Sequence, residues 1–358
     1  MEFIQTRART LTRPFQNAFL TACLLGVPAL AQPRQDPPQL LQAPSATENP
    51  DIAEARRLVE HGDYDGALAR LQDLASKNSA LKGVSAEIGA TLYKKGDYLQ
   101  AAESLKKALA ENPKDNESTQ LLGLSYYLAG RPADAIPLLE KVQSWYPRAN
   151  VDASYILGIA YIQTKDYPHA RAAFARMFDV PPASAAAHLF TARMLFRQEF
   201  DPVAEEYASK ATELDPKLPG AHFLLGELYL YKSRIPEAIT QLQGELALNP
   251  ADGATYYKLA DAYSRVQKFD EAERLLQRSI WLDSTSTGPF ILLGKVLEKK
   301  GEYDLAVRAL QRATTMDPNN PITHHLLGQT YRDMGRKEEA DYELKLAEQL
   351  RVRQDARP

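Results

Sequence analysis

Six histidines and one cysteine are the residues of this 358-residue chain with most scope for chemistry. The histidines are His61, His169, His188, His222, His324 and His325. Metal binding or general-base catalysis needs such residues gathered at motif spacing with carboxylates or a nucleophile. No HExxH, Gly-rich phosphate loop or nucleophile elbow occurs. His188 and His222 stand 34 residues apart, and His324 lies three such steps beyond His222. Equivalent sites on stacked helix pairs are separated by about a helix diameter, on the order of 10 Å, too far to share a metal. His324 and His325 are adjacent, so they face different sides of a helix. The sequence therefore assigns no catalytic residue, no metal ligand and no cofactor. The single cysteine, Cys23, rules out a disulfide scaffold and a Cys-based zinc site.

Charge excludes a further class. Acidic residues number 46 against 43 basic ones, a net charge of −3, which argues against nucleic acid as the partner. Opposite charges are interleaved, as in Lys337-Glu338-Glu339 and Glu298-Lys299-Lys300, and read as solvated helix faces.

The first residues read as an address. Arg7, Arg9 and Arg13 precede an apolar run from Ala18 to Val27, and Ala29-Leu30-Ala31 has the spacing that a signal peptidase reads. This predicts a signal peptide over 1–31, cleaved before Gln32, and export to the periplasm or beyond. The run is too short for a permanent transmembrane helix. Leu20-Thr21-Ala22-Cys23 also resembles a bacterial lipobox, so a lipid anchor on Cys23 is the alternative. Residues 32–47 carry Pro33, Pro37, Pro38 and Pro44 and read as a semi-rigid linker.

The elements that must position any site follow from a period of 34. Alanine occupies 67, 101, 135, 170, 204, 238, 272, 306 and 340. With that alanine as repeat position 20, nine units span 48–81, 82–115, 116–150, 151–184, 185–218, 219–252, 253–286, 287–320 and 321–354, with a tail at 355–358. One extra residue falls near Arg148-Ala149-Asn150. Position 8 is always Gly or Ala, and position 11 always Tyr or Leu. Apolar spacing such as Leu225-Leu228-Tyr229 predicts two helices per unit. Gly62, Gly96, Gly130, Gly301 and Gly335 fall at position 15, where a helix C-cap needs positive φ. Prolines fall only at positions 1–3, 17–22 and 31–32, and Pro137, at position 22, is expected in a first turn. Small residues at 8 and 20 let two backbones approach, while large ones at 7, 11 and 24 fill the space around them. One unit cannot bury both faces of its helices, but stacked units can.

Leu122-Gly123-x2-Tyr126 with Ala135 and Pro147, and Leu157-Gly158-x2-Tyr161 with Ala170, Phe174 and Pro182, carry a resemblance. Leu225-Gly226-x2-Tyr229 with Ala238 and Pro250 repeats it. Over 48–354 the chain resembles the tetratricopeptide repeat (TPR) family, whose signature is W-x2-L-G-x2-Y, then A-x3-F, then P. It departs at position 4, where His188, His222 and His324 replace tryptophan. The resemblance implies an all-α, right-handed superhelical solenoid whose first helices line a concave groove at positions 5, 9 and 12.

Those positions are Gln120, Leu124 and Tyr127; Tyr155, Ile159 and Ile162; Leu189, Arg193 and Phe196; and Phe223, Glu227 and Leu230. Further on they become Tyr257, Asp261 and Ser264; Ile291, Lys295 and Glu298; and His325, Gln329 and Arg332. The groove thus reads apolar and aromatic in repeats 3 to 6 and charged beyond. An apolar stripe of this kind marks an interaction surface, and an extended peptide or an amphipathic helix is the expected guest. One TPR subclass captures C-terminal carboxylates with groove Lys, Asn and Arg. Position 9 here runs Arg56, Ala90, Leu124, Ile159, which lacks that pattern. The expected function is a non-catalytic scaffold of the cell envelope that binds protein or peptide. The alternatives are a lipoprotein aiding envelope assembly or export, and a carbohydrate-binding solenoid with Tyr155 and Phe223 stacking on sugar rings. Oligomeric state is left open.

Overall fold

The computed structural model describes residues 49–78, 81–145, 151–198 and 201–355. The expected signal peptide, Cys23, the proline-rich linker and Arg148-Ala149-Asn150 lie outside them. Among the described residues every regular element is an α-helix, and there are eighteen, in nine consecutive pairs. They fall into two compact units.

The N-terminal unit holds α1 (Pro50–Glu60), α2 (Tyr64–Lys77), α3 (Val84–Lys95), α4 (Tyr98–Glu111), α5 (Asn116–Leu128) and α6 (Pro132–Trp145). It continues with α7 (Val151–Gln163), α8 (Tyr167–Met177), α9 (Ala185–Arg197) and α10 (Asp201–Leu214). The C-terminal unit holds α11 (Ala221–Tyr231), α12 (Ile235–Leu248), α13 (Gly253–Arg265), α14 (Phe269–Leu282), α15 (Thr287–Lys299), α16 (Tyr303–Met316), α17 (Pro321–Asp333) and α18 (Lys337–Asp355).

One turn chemistry joins the helices of the eight pairs whose turn is described. The position-16 amide donates to the position-11 carbonyl, and the position-15 amide to the position-12 carbonyl, as in Asp97 N to Leu92 O and Gly96 N to Tyr93 O. This is the Schellman closure, and it forces position 15 into positive φ. Gly96 has φ +95° and Gly130 +74°. Three side-chain-bearing residues accept the same geometry: Lys165 at 63°, Ser233 at 57° and Gln267 at 60°. Position 16 then starts the second helix. Where it is Arg or Lys it lies over the position-11 tyrosine, at 4.9 Å for Arg131 on Tyr126 and 4.4 Å for Arg234 on Tyr229. After Leu58, Leu92 and Leu297 at position 11, position 16 is acidic (Asp63, Asp97 and Glu302), whereas Leu195 is followed by Phe200.

The small columns do lie in the core. All nine position-20 alanines are buried. Glycines at position 8 lie against the large side chain at position 24. A Cβ on Gly158 would stand 2.6 Å from Phe174 Cζ, and one on Gly226 2.6 Å from Leu242 Cγ. Ala192 faces the other solution, since its position-24 partner is Ala208, and both are fully buried.

Pro137 corrects one expectation. α6 begins at Pro132, so Pro137 is the sixth helical residue, inside the helix and beyond its first turn. Pro132 occupies the N1 site that suits proline, and Pro137 leaves the Ala133 carbonyl without its intrahelical donor.

Within each unit the first helices approach one another directly: α1 to α3, α3 to α5 and α5 to α7, then α11 to α13, α13 to α15 and α15 to α17. Among the described residues the second helices show no comparable approach. The side on which the first helices crowd is the inner side of each unit.

Candidate functional site

In the N-terminal unit, α5, α7 and α9 present the inner row. Gln120, Leu124, Tyr127, Tyr155, Arg193 and Phe196 are half-buried. Tyr127 and Tyr155 are neighbours. Burial pushes the Tyr127 hydroxyl up to about 12, with a smaller push from Tyr155. The Tyr155 ring lies 6.4 Å from Phe174, tilted by 55°. In the C-terminal unit Phe223 is half-buried and packs on the Leu230-Leu242-Leu259 cluster, while Glu227 is tied to Lys258 Nζ at 2.9 Å.

Four residues of the expected row lie deeper than the spacing implied. Ile159, Ile162, Leu189 and Leu230 are 2%, 0%, 4% and 4% exposed, so they offer no usable surface to a guest. Leu230 shows the cause: it inserts against Leu259 and Ala262 of α13, in the seam between consecutive first helices. Helical period fixes the direction of these side chains but not their depth.

Further along the C-terminal unit the row is charged and cross-tied. Burial raises the Tyr257 hydroxyl, and Gly288 of α15 lies against its ring. Asp261 holds Arg265 at 2.8 Å, and Arg265 donates to the Leu230 carbonyl at 3.0 Å. Glu298 holds Lys299 at 3.1 Å. Lys295, His325 and Arg332 are exposed.

Sequence reasoning missed two ion-pair registers between repeats. Position 9 of one unit meets position 6 of the next: Arg56 with Glu87, and, with the signs exchanged, Glu227 with Lys258. Position 14 reaches back to position 18: Lys95 to Asp65 at 2.8 Å and Lys300 to Asp270 at 2.9 Å. Lys300 also meets Glu273 and Glu302, and these hydrogen bonds raise its pKa. The signal lay in opposite charges spaced 31 and 30 residues apart.

The three position-4 histidines occupy equivalent slots, each against the residue 19 positions on. His188 meets Tyr207, with ring centres 5.6 Å apart. His222 Nδ1 is 2.7 Å from Gln241 Oε1, and His324 Nδ1 is 2.6 Å from Glu343 Oε2. Among the described residues no three His, Cys, Asp or Glu side chains gather to hold a metal, and no helix is long and apolar enough to cross a membrane.

This is a helical repeat array whose functional surface is a row of side chains along its first helices. Tetratricopeptide repeat profiles match residues 87–150 and 223–289, 126–194, 294–335 and 323–351. The chain belongs to the tetratricopeptide repeat family. No curated protein sequence matches it. Among solved structures it is similar to MamA from Desulfovibrio magneticus RS-1, at 17% identity and a TM-score of 0.45, over 48% of this chain and 97% of that one. It is also similar to YrrB, described as a TPR protein with an unusual peptide-binding site, at 24% identity and 0.42, over 47% and 87%. PilF of Pseudomonas aeruginosa is 19% identical with a TM-score of 0.45, over 54% and 88%.

Proposed function

We propose that this TPR chain is a non-catalytic scaffold that receives an extended or helical segment of a partner protein on the inner row of its first helices. The observation that carries this reading is the set of aromatic side chains left half-buried there, Tyr127, Tyr155 and Phe196 in one unit and Phe223 in the other. Completing the burial of such a side chain contributes about 1.5–3 kcal/mol, part of which is offset by ordering the guest. The composition of the row, aromatic with few charges, suits an apolar or amphipathic segment.

The place of action in this proposal is the cell envelope, reached through the signal peptide over 1–31. Mass spectrometry of the mature N-terminus separates secretion from anchoring: Gln32 supports the first, acylated Cys23 the second.

Photo-crosslinking in intact cells tests the surface. Benzoylphenylalanine at Tyr155, Phe196 or Phe223 is expected to capture a protein that the same probe at Gln277 or Thr240, exposed on second helices, does not. Capture confined to the second-helix positions would overturn the assignment.

A further inference from the structure

His188 stands in a slot that admits only the neutral imidazole. Its ring is 7% exposed. Nδ1 lies 2.9 Å from the Ser184 carbonyl, which has no hydrogen to give, so Nδ1 carries the hydrogen and donates. Nε2 is then the lone-pair nitrogen, and it accepts from Arg171 Nη1 at 2.7 Å. A guanidinium is always a donor and always charged. A proton added to Nε2 would set two donors and two positive charges against each other at hydrogen-bond distance.

Among the described residues no carboxylate hydrogen-bonds the ring. α9 packs on α8 and α10. From α8 the group facing the ring is Arg171; from α10 they are Tyr207 and Lys210. Glu213 of α10 pairs with Lys210 at 2.9 Å, and Asp166 at the start of α8 with His169 at 2.8 Å. Glu206 bears on the Tyr207 hydroxyl. Arg171 Nε is itself buried without an acceptor, so the junction already has more donors than it can satisfy. The His324 slot is the opposite case. There the two ring nitrogens face two acceptors, the Glu343 carboxylate at 2.6 Å and the Pro318 carbonyl at 3.0 Å.

We propose that the α8–α9–α10 junction is an acid-sensitive latch: protonation of His188 drives it off Arg171 and loosens α9, while the C-terminal unit keeps its packing. Burial first, and then the Arg171 and Lys210 charges, hold the folded His188 below the ordinary histidine value. A folded value below the unfolded one means that the junction is fully stable above about pH 6.5 and loses stability as pH falls below it. α9 carries Arg193 and Phe196 of the inner row, so loosening it weakens the grip on a partner. That consequence rests on the partner-binding reading, whereas the loosening does not.

Amide hydrogen exchange of the full chain without any partner tests the latch, at about pH 7.5 and about pH 5.5, corrected for the intrinsic pH dependence. Peptides from α9 are expected to lose protection at the lower pH, while those from α13 and α17 keep theirs. In Arg171→Gln, whose amide can either donate to Nε2 or accept from it, the pH-dependent loss should vanish. His188→Gln should abolish it too, and Arg171→Gln alone decides the matter if that variant does not fold. Unchanged α9 protection in the parent chain overturns the proposal. So does a loss that persists in Arg171→Gln, or one shared equally by α17.

Discussion

The inner rows of the two units solve one geometry in different ways. In the N-terminal unit, repeats 3 to 5 place Tyr127, Tyr155 and Phe196 on the inner side, and packing leaves them half-buried. In the C-terminal unit the inner row is held by charge: Glu227 pairs with Lys258 of the next first helix, Asp261 with Arg265 within α13, and Glu298 with its neighbour Lys299. The backbone register is shared, since position 9 meets position 6 of the next repeat in both units. What differs is the chemistry of the row, aromatic in repeats 3 to 5 and ion-paired in repeats 6 to 8. A repeat fold therefore sets where a residue stands, and its neighbours set what it can do.

The largest test of this contrast strikes the cores. Phe174 and Leu242 are fully buried at the same repeat position. Phe174→Ala should cost the N-terminal unit about 3–5 kcal/mol, and Leu242→Ala should cost the C-terminal unit about 2–5 kcal/mol. The two tryptophans make this measurable, because Trp145 lies in one unit and Trp281 in the other. Urea unfolding of Trp145→Phe and Trp281→Phe backgrounds reads each unit by its remaining fluorescence. Each cavity is expected to move chiefly its own unit's midpoint.

Adding volume sharpens the comparison. Gly158→Ala meets a rigid phenyl ring and Gly226→Ala a leucine that can rotate. Both should destabilise within about 1–3 kcal/mol, Gly158→Ala by the larger amount. Equal losses would show that the ring yields as readily as the leucine.

Smaller effects probe turns and charges. Lys165→Gly in the N-terminal unit, and Ser233→Gly or Gln267→Gly in the C-terminal unit, should each relieve a left-handed backbone and stabilise by up to about 1 kcal/mol. Glu227→Gln should cost the C-terminal unit less than about 1 kcal/mol, with a loss that shrinks in high salt, because the pair is partly solvated.

Much of the fold was legible because close backbone approach leaves few residue choices. Alanine at position 20 and Gly or Ala at position 8 announce the contact, and Gly96 and Gly130 announce the turn. Lys165, Ser233 and Gln267 hid the same turn, since the helices on either side impose positive φ on whatever residue stands there. Pro137 was misplaced because its helix begins at Pro132, a turn earlier than a helix-breaking residue suggests. The inner row was legible in direction only. Ile162 and Tyr127 share position 12, yet one is fully buried and the other half-buried. That difference is one of depth, which the spacing along a single helix does not contain.

The proposal at stake is that aromatic residues of the inner row receive a partner while its buried aliphatics hold the fold. The most direct test places benzoylphenylalanine at Tyr127 and compares Tyr155→Ala/Phe196→Ala with Ile162→Ala, reading both crosslink yield and the Trp145 unfolding midpoint. The double variant is predicted to stay folded and lose the crosslink, and Ile162→Ala to keep the crosslink while costing about 2–5 kcal/mol in stability. An undiminished crosslink in a folded Tyr155→Ala/Phe196→Ala chain would contradict the claim.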